Sequence, residues 1–188
     1  MPLNENDIQL IIQRDCVLKG HKYVCPKVTN FFYGEADVLS VSSRGYAYEY
    51  EVKISRSDFF ADKKKVRKHD IYSNPHDEWS KNNCPNYFVY AVPEGLISID
   101  EVPEYAGLIY IKDEAVEIVK AAPFLHKSKP DLQKLMHKML MLYQQRAALG
   151  CTLLTHLNRE IKIANEKAEK ARKEQTQKFI DHYKKLKV

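Results

Sequence analysis

No stretch of the 188-residue chain approaches the ~18 consecutive apolar residues that a membrane-spanning helix needs. The N-terminus, MPLNENDIQ, has neither a basic segment nor an apolar one, so no secretory signal is expected and the cytoplasm is the expected location. Six glycines and eight prolines are too few for a collagen-like or low-complexity chain, and 44% hydrophobic content is too high for a wholly disordered one. The four cysteines, Cys16, Cys25, Cys84 and Cys151, form no CxxC pair and have no histidine at finger spacing. A disulfide framework and a structural zinc site are both disfavoured, and buried reduced thiols are expected. An excess of charge is also missing from most of the chain. Residues 1–157 carry twenty basic and twenty acidic side chains, whereas 158–188 carry ten and five, so the net +5 belongs to the tail. A basic tail does not make the main domain a nucleic-acid binder.

What is present reads as one α/β domain, residues 1–150, followed by a charged helical tail, 151–188. Ile8, Ile11, Ile12 and Cys16 recur at helical spacing over 4–18, and Gly20 follows as a stop. Residues 22–32 read as extended, and 35–42 as a short strand. Over 46–54, Tyr46, Tyr48, Tyr50, Val52 and Ile54 alternate with Ala47, Glu49, Glu51 and Lys53, a strong strand signal. Ser43-Arg44-Gly45 suits a hairpin turn between these two strands. A helix is expected from Arg56 to Tyr72, opened by Ser55 and Asp58 in a capping box, then a loop over 73–85. Residues 86–92 read as a buried strand, Gly107–Ile111 and Ala115–Val119 as weaker ones, and Asp131–Leu149 as a closing helix ended by Gly150. In the tail, Leu154, Leu157, Ile161, Ala164, Ala168 and Ala171 step by three and four. A solvated helix, a homodimer through this helix and a DNA-tracking arm are all open for it.

The chemistry rests on placement. The pattern (D/E)-x-K occurs at Glu51–Lys53, Asp62–Lys64 and Glu160–Lys162, and chance alone supplies about three matches in such a chain. On a helix, residues two apart diverge, so the second and third pairs cannot converge. On a strand they share a face, which Glu49 shares as well. The neighbouring strand offers Glu35 and Asp37 on one face, and a hairpin brings Asp37 beside Glu51. Two close carboxylates repel, and a hard divalent cation, Mg²⁺ or Mn²⁺, is their natural partner. Such a cation polarises a phosphate oxygen and lowers the pKa of a bound water, with Lys53 orienting that water or neutralising developing charge. The residues point to phosphodiester hydrolysis, with a cross-strand ion pair on a solvated sheet as the bland alternative.

The order αβββαβ, with Asp on the second strand and Glu-x-Lys on the third, resembles the PD-(D/E)xK nuclease superfamily and its restriction-endonuclease-like fold. EVKISRSDFFAD (51–62) is similar to a signature of MmcB-like DNA-repair proteins. NYFVYAVP (86–93), VPEYAGLIYI (102–111) and AVEIVKAAP (115–123) extend the likeness, which covers about 30–145. Lys65 stands where that family often has Trp, and the 73–85 loop is longer. The resemblance implies a metal-dependent deoxyribonuclease of repair or recombination type, with Asp37, Glu51 and Lys53 catalytic and Asp37 and Glu51 holding the metal. A catalytically silent nucleic-acid-binding or assembly module on the same fold is the alternative. Arg56, Lys64, Lys65 and Lys68 are candidate DNA contacts, the last three in the run KKKVRKH (63–69), with Lys64 and Lys68 on one helical face. Glu5 and Asp15 on the first helix are further acids near the expected site.

Overall fold

The computed structural model describes residues 3–185 and divides into two units, 1–138 and 139–188. The first unit is a mixed sheet in the order β1-β2-β3-β4-β5-β6. Its strands are β1 (Tyr23–Thr29), β2 (Glu35–Val41), β3 (Ala47–Val52), β4 (Tyr87–Pro93), β5 (Ala106–Lys112) and β6 (Ala115–Lys120). β1, β2 and β3 run antiparallel in sequence, β3–β4 and β4–β5 are parallel, and β6 closes antiparallel on β5. Pro26 lies in β1, an edge strand, where its missing N–H costs no interior ladder bond. The expected αβββαβ core with a mixed sheet is present.

Helix α1 (Glu5–Leu18) begins at Asn4, which forms a reciprocal capping box with Asp7. Its apolar face, Ile8, Ile11, Ile12 and Cys16, packs on Val38, Tyr50, Val52 and Val89 from one side of the sheet. This is the apolar face that the alternation in β3 predicts. The other side is covered by the segment between β3 and β4, where Phe59, Ile71 and Tyr72 pack with Phe88, Tyr90 and Leu108. Glu49, Glu51 and Lys53 therefore project under a second hydrophobic layer rather than into water. In the last two strands, Gly107 leaves no room for a side chain. A Cβ there would lie 2.8 Å from the Ala122 backbone nitrogen.

Four local expectations are corrected. The helix expected over 56–72 is two, α2 (Arg56–Asp62) and α3 (Val66–Ser73). The chain turns between them through bonds from the Lys64 and Lys65 amides to the Ala61 and Asp62 carbonyls. Ser55 caps α2 by accepting from the Asp58 amide, at 3.2 Å. The 73–85 loop contains a short helix, α4 (Glu78–Asn82), whose cap residue Asp77 forms a reciprocal box with Ser80. Gly150 does not end a helix: α5 runs from Leu132 to Lys185 without interruption. A lone glycine costs only ~1 kcal/mol relative to alanine, which strong helix formers such as Ala147, Ala148, Leu149 and Leu154 offset. Cys16, Cys25 and Cys84 are buried as expected, but Cys151 on α5 is exposed.

In the second unit α5 carries the apolar stripe with its large side chains in solvent: Leu154, Leu157 and Ile161 are all about half exposed or more. The side chain of Ala171, last of the stripe, lies outside the described residues. No helix among the described residues is long and apolar enough to cross a membrane.

Candidate active site

The β2–β3 ladder pairs Val38 with Tyr50 and Leu39 with Glu49, so one step further Asp37 stands opposite Glu51. Both line a cleft of about 640 Å³, together with Lys53, Asp58, Lys65 and Lys68. The hairpin thus brings the three expected residues, Asp37, Glu51 and Lys53, to one site. Glu35 and Glu5 also reach the cleft. Asp15 does not; it pairs with Lys19 at 2.7 Å on the outside of α1.

Asp37 Oδ2 accepts a 2.7 Å hydrogen bond from the Val52 amide, which fixes the carboxylate against the neighbouring strand. Burial and then the charge of Glu51 push its pKa up to about 6, against that hydrogen bond and the pull of Lys53. The charge of Glu51 is therefore close enough to oppose the ionisation of Asp37.

Glu51 is held by three ammonium groups. Lys53 Nζ donates to Oε1 at 2.8 Å, Lys68 Nζ to Oε2 at 2.8 Å, and Lys65 Nζ lies 3.4 Å from Oε1. Lys68 also sits 2.8 Å from Glu49 Oε1, an ion contact without the alignment of a hydrogen bond. Glu49 Oε2 accepts from the Tyr72 hydroxyl at 2.8 Å. Burial alone would drive the Lys68 ammonium toward neutrality, but Glu49 and Glu51 outweigh it and hold the group charged. Lys53 is likewise kept above its ordinary range by Glu51, Asp62 and Asp58 despite its burial.

Asp62 joins this network, although its D-x-K match with Lys64 is uninformative. Its side chain is fully buried at the end of α2, 2.7 Å from Lys65 Nζ and 3.6 Å from Lys53 Nζ. Tyr90 donates to Oδ2 at 2.9 Å. Burial would raise its pKa, but His69, Lys65 and Lys53 hold the carboxyl far below the usual range. The available sequence signal was Asp62 four residues after Asp58, on one helical face.

The four candidate phosphate contacts separate. Lys68 is 3% exposed and committed to two carboxylates, so it is not the open surface group expected. Lys64 is exposed in the turn before α3, and the break in the helix removes the face it was expected to share with Lys68. Arg56 is exposed but pairs with Glu101 at 2.5 Å and donates to the Leu96 carbonyl. Lys65 lines the cleft with its side chain 55% exposed. Arg67, not among the expected contacts, also lines the cleft, over the rings of Tyr33 and Trp79.

Asp37 and Glu51 supply hard oxygen donors of the kind Mg²⁺ and Mn²⁺ take. Among the described residues no cluster of three or more Asp, Glu, His or Cys side chains forms a complete cage. Mg²⁺ commonly binds through one or two carboxylates, with water and substrate phosphate completing the shell, so two donors at an open cleft fit it. The local charge fits as well. Glu5, Glu35, Asp37, Glu49, Glu51, Asp58 and Asp62, in or beneath the cleft, outnumber Lys53, Lys65, Arg67 and Lys68 by three when all are ionised.

No protein-family model matches the chain, and no curated protein does. A solved structure of a protein of unknown function from Silicibacter pomeroyi is similar, with a TM-score of 0.57 and 20% sequence identity. The similarity covers 78% of this chain and 91% of that one, and what the two share is the fold.

Proposed function

We propose that the chain is a Mg²⁺- or Mn²⁺-dependent deoxyribonuclease that hydrolyses phosphodiester bonds in the Asp37–Glu51–Lys53 cleft. The observation that carries this reading is the meeting of Asp37 and Glu51 from adjacent strands, with Lys53 bonded to Glu51 at 2.8 Å. Asp37 and Glu51 would hold the cation, which supplies Lewis-acid polarisation of the phosphate and a more acidic water. Lys53, charged and fixed between Glu51 and Asp62, would orient the attacking water or neutralise charge gathering on the phosphate. Val52 keeps Asp37 turned toward the cleft through its amide. Lys65 and Arg67 are the cleft cations with exposure to meet a DNA backbone. DNA repair or recombination in the cytoplasm is the setting that goes with this activity.

One observation favours the silent module instead. Both oxygens of Glu51 are already met by Lys53, Lys65 and Lys68, so its charge is neutralised without a metal. An assay on duplex, single-stranded, flap and junction DNA with Mg²⁺, Mn²⁺ or EDTA separates the two. The nuclease reading expects cleavage that EDTA abolishes; DNA binding without cleavage of any substrate supports the module.

A further inference from the structure

We infer that the C-terminal part of α5 pairs with a second copy of this chain, and that the two helices run antiparallel. The seam is a heptad row with a sharp division of size. Its N-terminal half holds Leu154, Leu157 and Ile161, all substantially exposed. Its C-terminal half holds Ala164 and Ala168, and the sequence continues the row with alanine at 171. An antiparallel pair with its two-fold axis between residues 162 and 163 sets Ile161 against Ala164 of the second copy and Leu157 against its Ala168. Leu154 then meets position 171. Every layer joins one large and one small side chain, the arrangement that keeps two helices evenly spaced and closes voids. A parallel, in-register pair would instead stack the large residues together at one end and leave alanine facing alanine at the other.

Charge selects the same direction. Glu160 and Lys167 flank the seam on one side. Residues three and four away from Glu160 include no lysine or arginine, and those around Lys167 include no acid. Neither can therefore make the kind of contact along its own helix that Lys173 makes with Glu169 at 2.7 Å. In the antiparallel pair Glu160 faces Lys167 of the second copy, and symmetry makes that contact twice. The parallel pair would bring Lys167 beside the position of Arg172, like against like. This pairing is independent of the chemistry of the cleft.

Sedimentation equilibrium of the full-length chain over a hundredfold concentration range tests the inference. A reversible monomer–dimer equilibrium is expected, with Kd in the ~10–100 µM range, modest because a short seam leaves little after the cost of association. Ile161→Lys with Leu157→Lys should remain monomeric throughout, with unchanged circular dichroism. Glu160→Lys should weaken the dimer about fivefold or more, and adding Lys167→Glu should restore it. Leu157→Cys with Ala168→Cys, in a Cys151→Ser background, should oxidise to disulfides joining 157 of one copy to 168 of the other. A wild type that stays monomeric at every concentration overturns the pairing. Disulfides joining 157 to 157 overturn the direction.

Discussion

Lys68 Nζ lies 2.8 Å from Glu49 Oε1, and both residues are nearly sealed from water, at 3% and 1% exposure. The pair stands beneath Phe88, whose ring centroid is 5.1 Å from the ammonium. It forms the floor of the cleft rather than part of its reactive surface. Two buried carboxylates depend on this one lysine, since Glu51 Oε2 shares it.

Removing that cation should unsettle the fold. Lys68→Met keeps most of the volume but leaves Glu49 and half of Glu51 without compensation. A loss of about 3–5 kcal/mol in urea denaturation is expected, the usual cost of breaking a buried pair from one side. Lys64→Ala, in the exposed turn, should stay within about 0.5 kcal/mol. Equal stability of the two variants would show that Glu49 is satisfied without Lys68.

Asp37 supplies a pH-dependent test. Its pKa is raised from 3.8 to about 6, so the folded protein takes up its proton more readily than the unfolded chain does. The stability it contributes is full below about pH 4 and is lost as pH rises through about 6. In EDTA at pH 7.5, Asp37→Asn should therefore be more stable than wild type, by about 1–3 kcal/mol, and the gap should close below pH 4. With Mn²⁺ present, thermal stability should rise for the wild type and not for the variant. A variant less stable than wild type in EDTA would contradict the opposition of Asp37 and Glu51.

Lys65 contacts Glu51 and Asp62 through a half-exposed side chain, which makes it the competitor for a cation that can be removed most safely. Lys65→Ala should bind Mn²⁺ roughly tenfold more tightly in calorimetry, because one nearby positive charge has gone. If neither protein binds Mn²⁺, the lysines are permanent counter-ions and the silent module is the better reading.

Cleavage and metal binding should part company at Lys53. Lys53→Ala should lower cleavage by roughly 10²–10³-fold while binding Mn²⁺ at least as tightly as the wild type, since it too removes a positive charge beside Glu51. Glu51→Gln should lose both, and Glu94→Gln, an acid paired to Lys112 outside the cleft, should lose neither. A Lys53→Ala variant that cuts as fast as an active wild type would remove Lys53 from the chemistry.

The strands of the site were legible because each carries its own pattern. Alternation in 46–54 fixes which side chains share a face, and Ser43-Arg44-Gly45 fixes the hairpin that sets Asp37 against Glu51. Gly45 takes a positive φ of 78° in that turn. The fate of KKKVRKH was not legible. Four lysines in seven residues read as a solvated face, yet the helix breaks after Asp62 and turns Lys65 and Lys68 back toward Glu51. That turn depends on Asp62 being buried against Tyr90, a contact 28 residues distant that no local pattern records. Glycine at 150 misled for the opposite reason, since a residue that commonly ends helices is also tolerated within strong ones.

The short span of the hairpin and its two helices has a kinetic consequence. Glu51 meets Lys53, Lys65 and Lys68 across only 2, 14 and 17 positions of chain, and Asp37 meets Val52 across 15. Such loops close at little entropic cost. The hydrophobic roof of the pair arrives later, because Phe88 must first dock in parallel beside β3, after a crossover of three helices. The charges are therefore expected to meet while still hydrated, and to be desolvated on the native side of the folding barrier. In a chevron experiment, Lys68→Met should speed unfolding far more than it slows folding. The cleft's electrostatics would then act as a latch on the finished fold rather than as its nucleus.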